Sequence, residues 1–149
     1  MNLELSQSIQ NRKARYNYFF LETYEAGIEL RGSEIKSLRN GSVDISESFA
    51  REVDNEIYLI NSYFAKYSNS SYMNHDENRQ RRLLLNRKEI RKIIGKLKKE
   101  SLTLIPVQIY FNRKGIAKVE IAVSKGKKNY DKREAKKKKS WEREKRRIK

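Results

Sequence analysis

The chain contains no cysteine. That excludes disulfides, cysteine-based zinc sites and thiol catalysis, and it fits a reducing compartment. Its single histidine, His75, excludes metal sites and proton shuttles built from several histidines. No apolar run approaches the roughly 18 residues of a membrane span. The first ten residues lack the basic start and long apolar stretch of a secretory signal, so a cytoplasmic protein is expected. Carboxylates are scattered, without Asp-x-Asp spacing. Phosphodiester cleavage wants clustered carboxylates for metal, or a histidine pair. Neither an enzyme nor a metal or other cofactor is therefore expected.

What the chain has in excess is positive charge. Lys and Arg number 35 against 19 Asp and Glu, a net +16. Residues 125–149 hold fourteen of those cations and four acids, so +10 of the total, and nearly all core-forming residues lie before them. The chain of 149 residues thus reads as one compact domain, 1–124, and a basic C-terminal tail, 125–149. Such an arm attracts a polyanion by counterion release, and RNA is the leading one. A membrane-surface helix would need a continuous apolar face. The arm offers only Tyr130, Ala135, Trp141 and Ile148, so a membrane partner is not expected. The same poverty predicts a tail disordered until bound. The tail opens Lys125-Gly126-Lys127-Lys128-Asn129-Tyr130-Asp131-Lys132-Arg133, which is more particular than a polybasic run.

Along the domain, aromatic 16–24 reads as a strand and 27–31 as a second, with 25–27 as turn or bulge. Ser33 is a candidate cap for a short helix, with Ile35 and Leu38 facing the core and Gly41 past its end. Asp54-Asn55-Glu56 between 48–53 and 57–60 signals a hairpin. Residues 63–67 extend or follow it. The polar stretch 68–82 reads as a long mobile loop in which His75 is exposed and without a role. Asn86-Arg87-Lys88-Glu89 resembles a capped helix start, and Ile90, Ile93, Ile94 and Leu97 follow at helical spacing. Strands are predicted over 102–111, where Pro106 implies an edge or bulge, and over 117–123. The sum is mainly β: a small antiparallel, oligonucleotide-binding-type barrel of about six strands with two to three helices. A split sheet with helices on one face is the alternative.

Four segments carry a family resemblance. They are Asn11-Arg12-Lys13-Ala14-Arg15-Tyr16 with Tyr18-Phe19; Glu25-Ala26-Gly27-Ile28 with Gly32 and Ile35-Lys36-Ser37-Leu38-Arg39; Arg82-Leu83-Leu84-Leu85-Asn86-Arg87-Lys88-Glu89; and Lys118-Val119-Glu120-Ile121 running into the tail motif. In this combination and order the chain resembles the small protein B (SsrA-binding protein) family, the protein partners of tmRNA in trans-translation. The resemblance implies a monomeric barrel that grips the tRNA-like domain of tmRNA and enters stalled ribosomes. The tail would probe the empty message path and decoding centre, where it becomes helical.

By position, the resemblance places Asn11, Arg12, Tyr16, Glu25, Lys36, Arg39, Leu84, Asn86 and Lys118 at the RNA. Glu25 and Asn86 suit base-edge or ribose hydrogen bonds, Leu84 packs on a base or sugar, and Lys118 meets phosphate. Lys125, Lys127 and Lys128 would follow backbone phosphates, with Gly126 as the pivot of the tail. Asp131, Lys132 and Arg133 match the segment needed on the ribosome, Tyr130 would stack on a small-subunit rRNA base, and Trp141 and Ile148 match apolar tail positions. On the residues alone, Glu25 also reads as an exposed strand-end carboxylate, Asn86 as a plain helix cap and Leu84 as core. A generic ribosomal or oligonucleotide-binding protein with a basic tail is the competing reading. It would tolerate scrambling of the tail at constant charge.

Overall fold

A computed structural model describes residues 7–67 and 74–127. The elements are β1 (Ser8–Gln10), α1 (Arg12–Asn17), β2 (Tyr18–Ile28), α2 (Gly32–Arg39), β3 (Val43–Asp44), β4 (Phe49–Val53), β5 (Glu56–Ile60), β6 (Tyr63–Phe64), β7 (Arg81–Leu84), α3 (Arg87–Lys99), β8 (Thr103–Phe111) and β9 (Ala117–Gly126). Strands β8, β4, β5, β7, β2 and β9 pair in that order, and β9 pairs back with β8. Six antiparallel strands therefore close on themselves, which decides against a split sheet. Strand β1 adds to the edge of β8 beyond β4, and β3 and β6 form a separate ribbon.

The inner face is the core. Ala26, Ile57, Leu59, Leu83, Ile109, Val119 and Ile121 are all fully buried and alternate with outward residues, the period-2 pattern of a strand with one buried face. Helices add Leu38, Ile90 and Ile93. Turn chemistry fixes the register. Asp54 and Asn55 adopt φ of 51° and 64°, the left-handed pair of a two-residue hairpin, and join β4 to β5. Pro106 lacks an amide, and the β8–β9 register shifts beside it between Pro106 and Gln108, the expected bulge.

Several local expectations are corrected. Residues 16 and 17 end a helix over 12–17 and do not begin the strand; Asn11 caps that helix through Ala14 N and also bonds across the barrel. Residues 25–27 are not a turn: β2 runs unbroken to Ile28, since Gly27 pairs with Lys118 on one side and Leu84 on the other. Ser33 does not cap α2; Glu34 reaches back to the Arg31 amide instead (2.7 Å), and the Ser33 hydroxyl bonds His75 Nδ1 (2.8 Å). His75 is buried, not exposed, and its Nε2 lies 2.8 Å from the Phe64 carbonyl oxygen. Arg81 and Arg82 belong to β7, not to a loop. The expectations for 68–73 and 128–149, including Lys128 and the tail residues Tyr130 to Ile148, lie outside the described residues.

An ion pair buried at both ends organises this region. The Glu34 and Arg81 side chains are wholly inaccessible, with Arg81 Nε 2.5 Å from Glu34 Oε2. The remaining Arg81 donors reach the Ser62 hydroxyl (3.0 Å) and the carbonyls of Arg79, Asp76 and Glu77. Its guanidinium also lies 4.1 Å above the Phe64 ring. Arg79 gives Glu34 a second cation at 2.5 Å. Burial pushes the Glu34 carboxyl up, but Arg79, the Arg31 amide and Arg81 together outweigh it and hold Glu34 below its ordinary value of 4.5.

A depressed carboxyl stabilises the fold above the unfolded-state value and loses that contribution as pH falls through the folded one. Glu34→Gln should therefore cost about 3–5 kcal/mol at neutral pH, because it leaves Arg81 buried without its counter-charge. The cost should shrink toward pH 3, read by urea unfolding at both values. A loss that is equal at both pH values would rule out the carboxylate as its source.

Candidate nucleic-acid interface

Register builds the candidate surface. Directly opposed residues in an antiparallel pair share a face. Following the pairings gives one rung, Gln10–Gln108–Glu120–Glu25, across β1, β8, β9 and β2. The next outward rung is Ser8–Tyr110–Lys118–Gly27–Leu84, which extends into β7. Both rungs lie on the outside, because Ile109, Val119 and Ala26 between them point into the core. Three sequence-predicted residues, Glu25, Lys118 and Leu84, are thus brought together. Asn86 follows two residues after Leu84, at the start of α3.

The side chains are tied into one array. Gln10 Nε2 donates to Gln108 Oε1 (2.9 Å), and Gln108 Nε2 donates to Glu120 Oε1 (3.4 Å). The Tyr110 hydroxyl donates to Glu25 Oε2. The Leu triplet divides as strand geometry requires: Leu83 is buried, Leu85 is half-buried and Leu84 is 45% exposed. Gly27 makes room for it. A Cβ at Gly27 would stand 3.2 Å from Leu84 Cβ, so even an alanine there would crowd the leucine, which would have to give by a few tenths of an ångström. Asn86 caps α3: its Oδ1 accepts from the Glu89 amide (2.8 Å) and Glu89 Oε1 accepts from the Asn86 amide (3.3 Å). Its Nδ2 makes no hydrogen bond among the described residues and lies at an exposed helix start, where anions are favoured.

The array offers mixed chemistry to a ligand. Two carboxylates and two carboxamides accept or donate as base edges do, an exposed leucine supplies an apolar contact, and Lys118 supplies a cation. Arg39 lies by the end of β8, its guanidinium 6.0 Å from the ring of Phe111, a core residue that faces away from the Tyr110 side of the strand. Lys36, also on α2, stands 5.0 Å over Tyr67. Tyr110, Gln108, Glu120 and Gln10 were not singled out from sequence; the outward alternation in β8 and β9 is the signal that could have found the first three, and no such signal marks Gln10 in the short β1.

The other predicted residues sit elsewhere. Lys125 pairs with Phe19, seven residues along β9 from Lys118 and so roughly 20 Å away. Gly126 pairs with Tyr18, and Lys127 follows it. Arg12 is exposed on α1, and Tyr16 lines a cleft of about 540 Å³ with Lys13, Asn17 and Phe49. Asn11 lies in the wall of the same cleft and is nearly buried. It is 1% exposed, and Nδ2 donates to the carbonyls of Ile45 (3.0 Å) and Pro106 (2.9 Å) while Oδ1 accepts from Ala14 N (3.1 Å). These bonds hold the start of α1 against the barrel. Among the described residues, no cluster of His, Asp and Glu is arranged to hold a metal ion, and no helix is long and apolar enough to cross a membrane.

Burial first, and then the Glu25 carboxylate, raise the Tyr110 phenol above its ordinary value of 10.0. A phenol raised on folding contributes stability in full below that ordinary value and loses it as pH rises beyond. In a near-ultraviolet alkaline titration, Tyr110→Phe should remove the latest-titrating tyrosine. Glu25→Gln should move it toward its ordinary value. A spectrum in which neither substitution changes the late phase would break the Tyr110–Glu25 link.

The comparisons with known proteins agree with one another. The family profile described as SmpB protein matches residues 8–149. An SsrA-binding protein of Rhizobium etli (strain CIAT 652) is 49% identical over 139 residues, covering 93% of this chain and 87% of the relative. The SsrA-binding protein of Thermosipho melanesiensis is 56% identical over 124 residues, covering 83% and 84%. A chain of the solved structure described as "tmRNA-SmpB: a journey to the center of the bacterial ribosome" is 52% identical and superposes with a TM-score of 0.69, covering 82% of this chain and 85% of that one. With a closed antiparallel barrel, the SmpB profile over nearly its whole length and relatives near half identity, this chain belongs to the SmpB family of SsrA-binding proteins.

Proposed function

We propose that this protein binds the tRNA-like domain of tmRNA and serves trans-translation, carrying tmRNA to stalled ribosomes in the cytoplasm. The observation that carries the reading is family membership over nearly the whole chain, with relatives described as SsrA-binding proteins and a structural neighbour in a tmRNA–ribosome context. The physical support is the two-rung face: Glu25, Glu120 and Asn86 for base or ribose groups, Leu84 for packing and Lys118 for phosphate. RNA readout of this kind needs unstacked edges and a shaped surface, not charge alone. The protein acts as a binding adaptor and not as an enzyme. Its basic tail probes the empty message path, with Tyr130 stacking on rRNA and Asp131, Lys132 and Arg133 in the decoding centre.

At physiological salt, a tRNA-like-domain RNA should bind at least about 100-fold tighter than an unstructured RNA of equal length, or about 2.7 kcal/mol. Leu84→Asp should remove most of that preference while keeping the nonspecific affinity. Equal affinity of the intact protein for both RNAs would mean that charge alone drives binding, and the generic basic-tailed reading would replace this one.

Joint replacement of Asp131, Lys132 and Arg133 by alanine should leave tmRNA affinity within about threefold, since the two-rung face is built from residues 8–120 without them. It should abolish tagging on stalled ribosomes in a reconstituted reaction. Wild-type tagging by that variant would remove the tail from the mechanism.

A further inference from the structure

The last strand hands over to the tail beside the C-terminal end of α1. Strand β9 ends at Gly126, paired with Tyr18. One residue on, the Lys127 amide donates to the Asn17 carbonyl at 2.8 Å, and the Lys127 ammonium donates to the Arg15 carbonyl at 3.3 Å. Both acceptors lie in the last turn of α1. A helix leaves its final four carbonyls without intrahelical donors, and that end favours a cation. The Tyr18 amide takes the Ala14 carbonyl. Lys127 takes two of the other three with one residue, from 110 positions downstream.

The same ammonium lies 5.0 Å from the centre of the Phe19 ring. Phe19 is 46% exposed and contributes little to the core. A ring face toward a cation gives that exposed aromatic a purpose. The helix that receives Lys127 is itself fixed at its start, where Asn11 bonds Ile45 and Pro106. Barrel, α1 and tail root are thereby joined in series.

We propose that Lys127 is a positioning residue: it latches the root of the basic tail onto the C-terminal end of α1 and the Phe19 ring, so that the tail leaves the barrel in a fixed direction. Its charge is committed within the protein and not to an RNA phosphate. The held chain then extends one residue past the end of β9, to Lys127. The contacts are intramolecular, so the inference stands whether or not the RNA reading does.

The test uses the free, full-length protein and ¹⁵N relaxation. A rigid backbone amide has an order parameter of about 0.85 and a flexible one below about 0.6. The Lys127 amide should be near the rigid value in the wild type. In Lys127→Met and in Phe19→Leu it should fall toward the flexible value, with the β8 and β9 resonances unmoved. Lys127→Arg, which keeps the cation, should restore it. A wild-type value below about 0.6 would overturn the latch, and so would a Lys127→Met protein that keeps the rigid value.

Discussion

The Glu34–Arg81 pair is the constraint on which the described structure turns. Both charges are removed from water, and their mutual attraction alone would not offset that cost. What makes the site tenable is saturation. Glu34 takes donors from Arg31, Arg79 and Arg81, while Arg81 spends its other donors on Ser62 and on carbonyls of the loop before β7. No buried side-chain nitrogen or oxygen among the described residues is left without a partner. The pair therefore ties α2, β6, β7 and residues 74–80 into one unit. None of these could settle into place without the others.

The candidate interface inherits its geometry from that unit. Arg81 begins β7, and Leu84 ends it. Burying Arg81 sets which way the strand faces, so that Leu83 turns inward and Leu84 outward over Gly27. Strand β7 then delivers Asn86 to the start of α3. On the opposite side, closure of β9 onto β8 aligns Lys118 with Tyr110 and Glu120 with Gln108. The face is a property of the closed ring, because its rungs join the β8–β9 hairpin to β1, β2 and β7 from earlier in the chain.

Much of this was legible before any coordinates. The Asp54-Asn55 turn, the Asn86–Glu89 cap and the alternation of 117–123 are local signals, and local chemistry determined their structures. The residues missed share a different cause. Helix α1 is only six residues long and its stability comes from Asn11 bonding across the barrel, so no periodicity announced it. His75 and Arg81 find partners 42 and 47 residues away, and a polar stretch cannot disclose such distant burial. The turn expected at 25–27 was overridden because strands on both sides pair with Gly27. At the site, family resemblance pointed to Glu25, Leu84, Asn86 and Lys118, while Tyr110, Gln108 and Glu120 needed the register to be seen as their neighbours.

Asn11 carries a lesson for genetics. Its amide fills the gap that the bulge at Pro106 opens on the edge of β8, between the stretches claimed by β4 and β1. A loss-of-function screen would score it beside true contact residues, since its loss would tilt α1 and disturb everything attached to that helix. Suppressors of such a lesion would be expected in the packing beside α1, around Ala14 and Ile105. A residue whose loss weakens RNA binding can thus act by holding the frame on which contact residues stand.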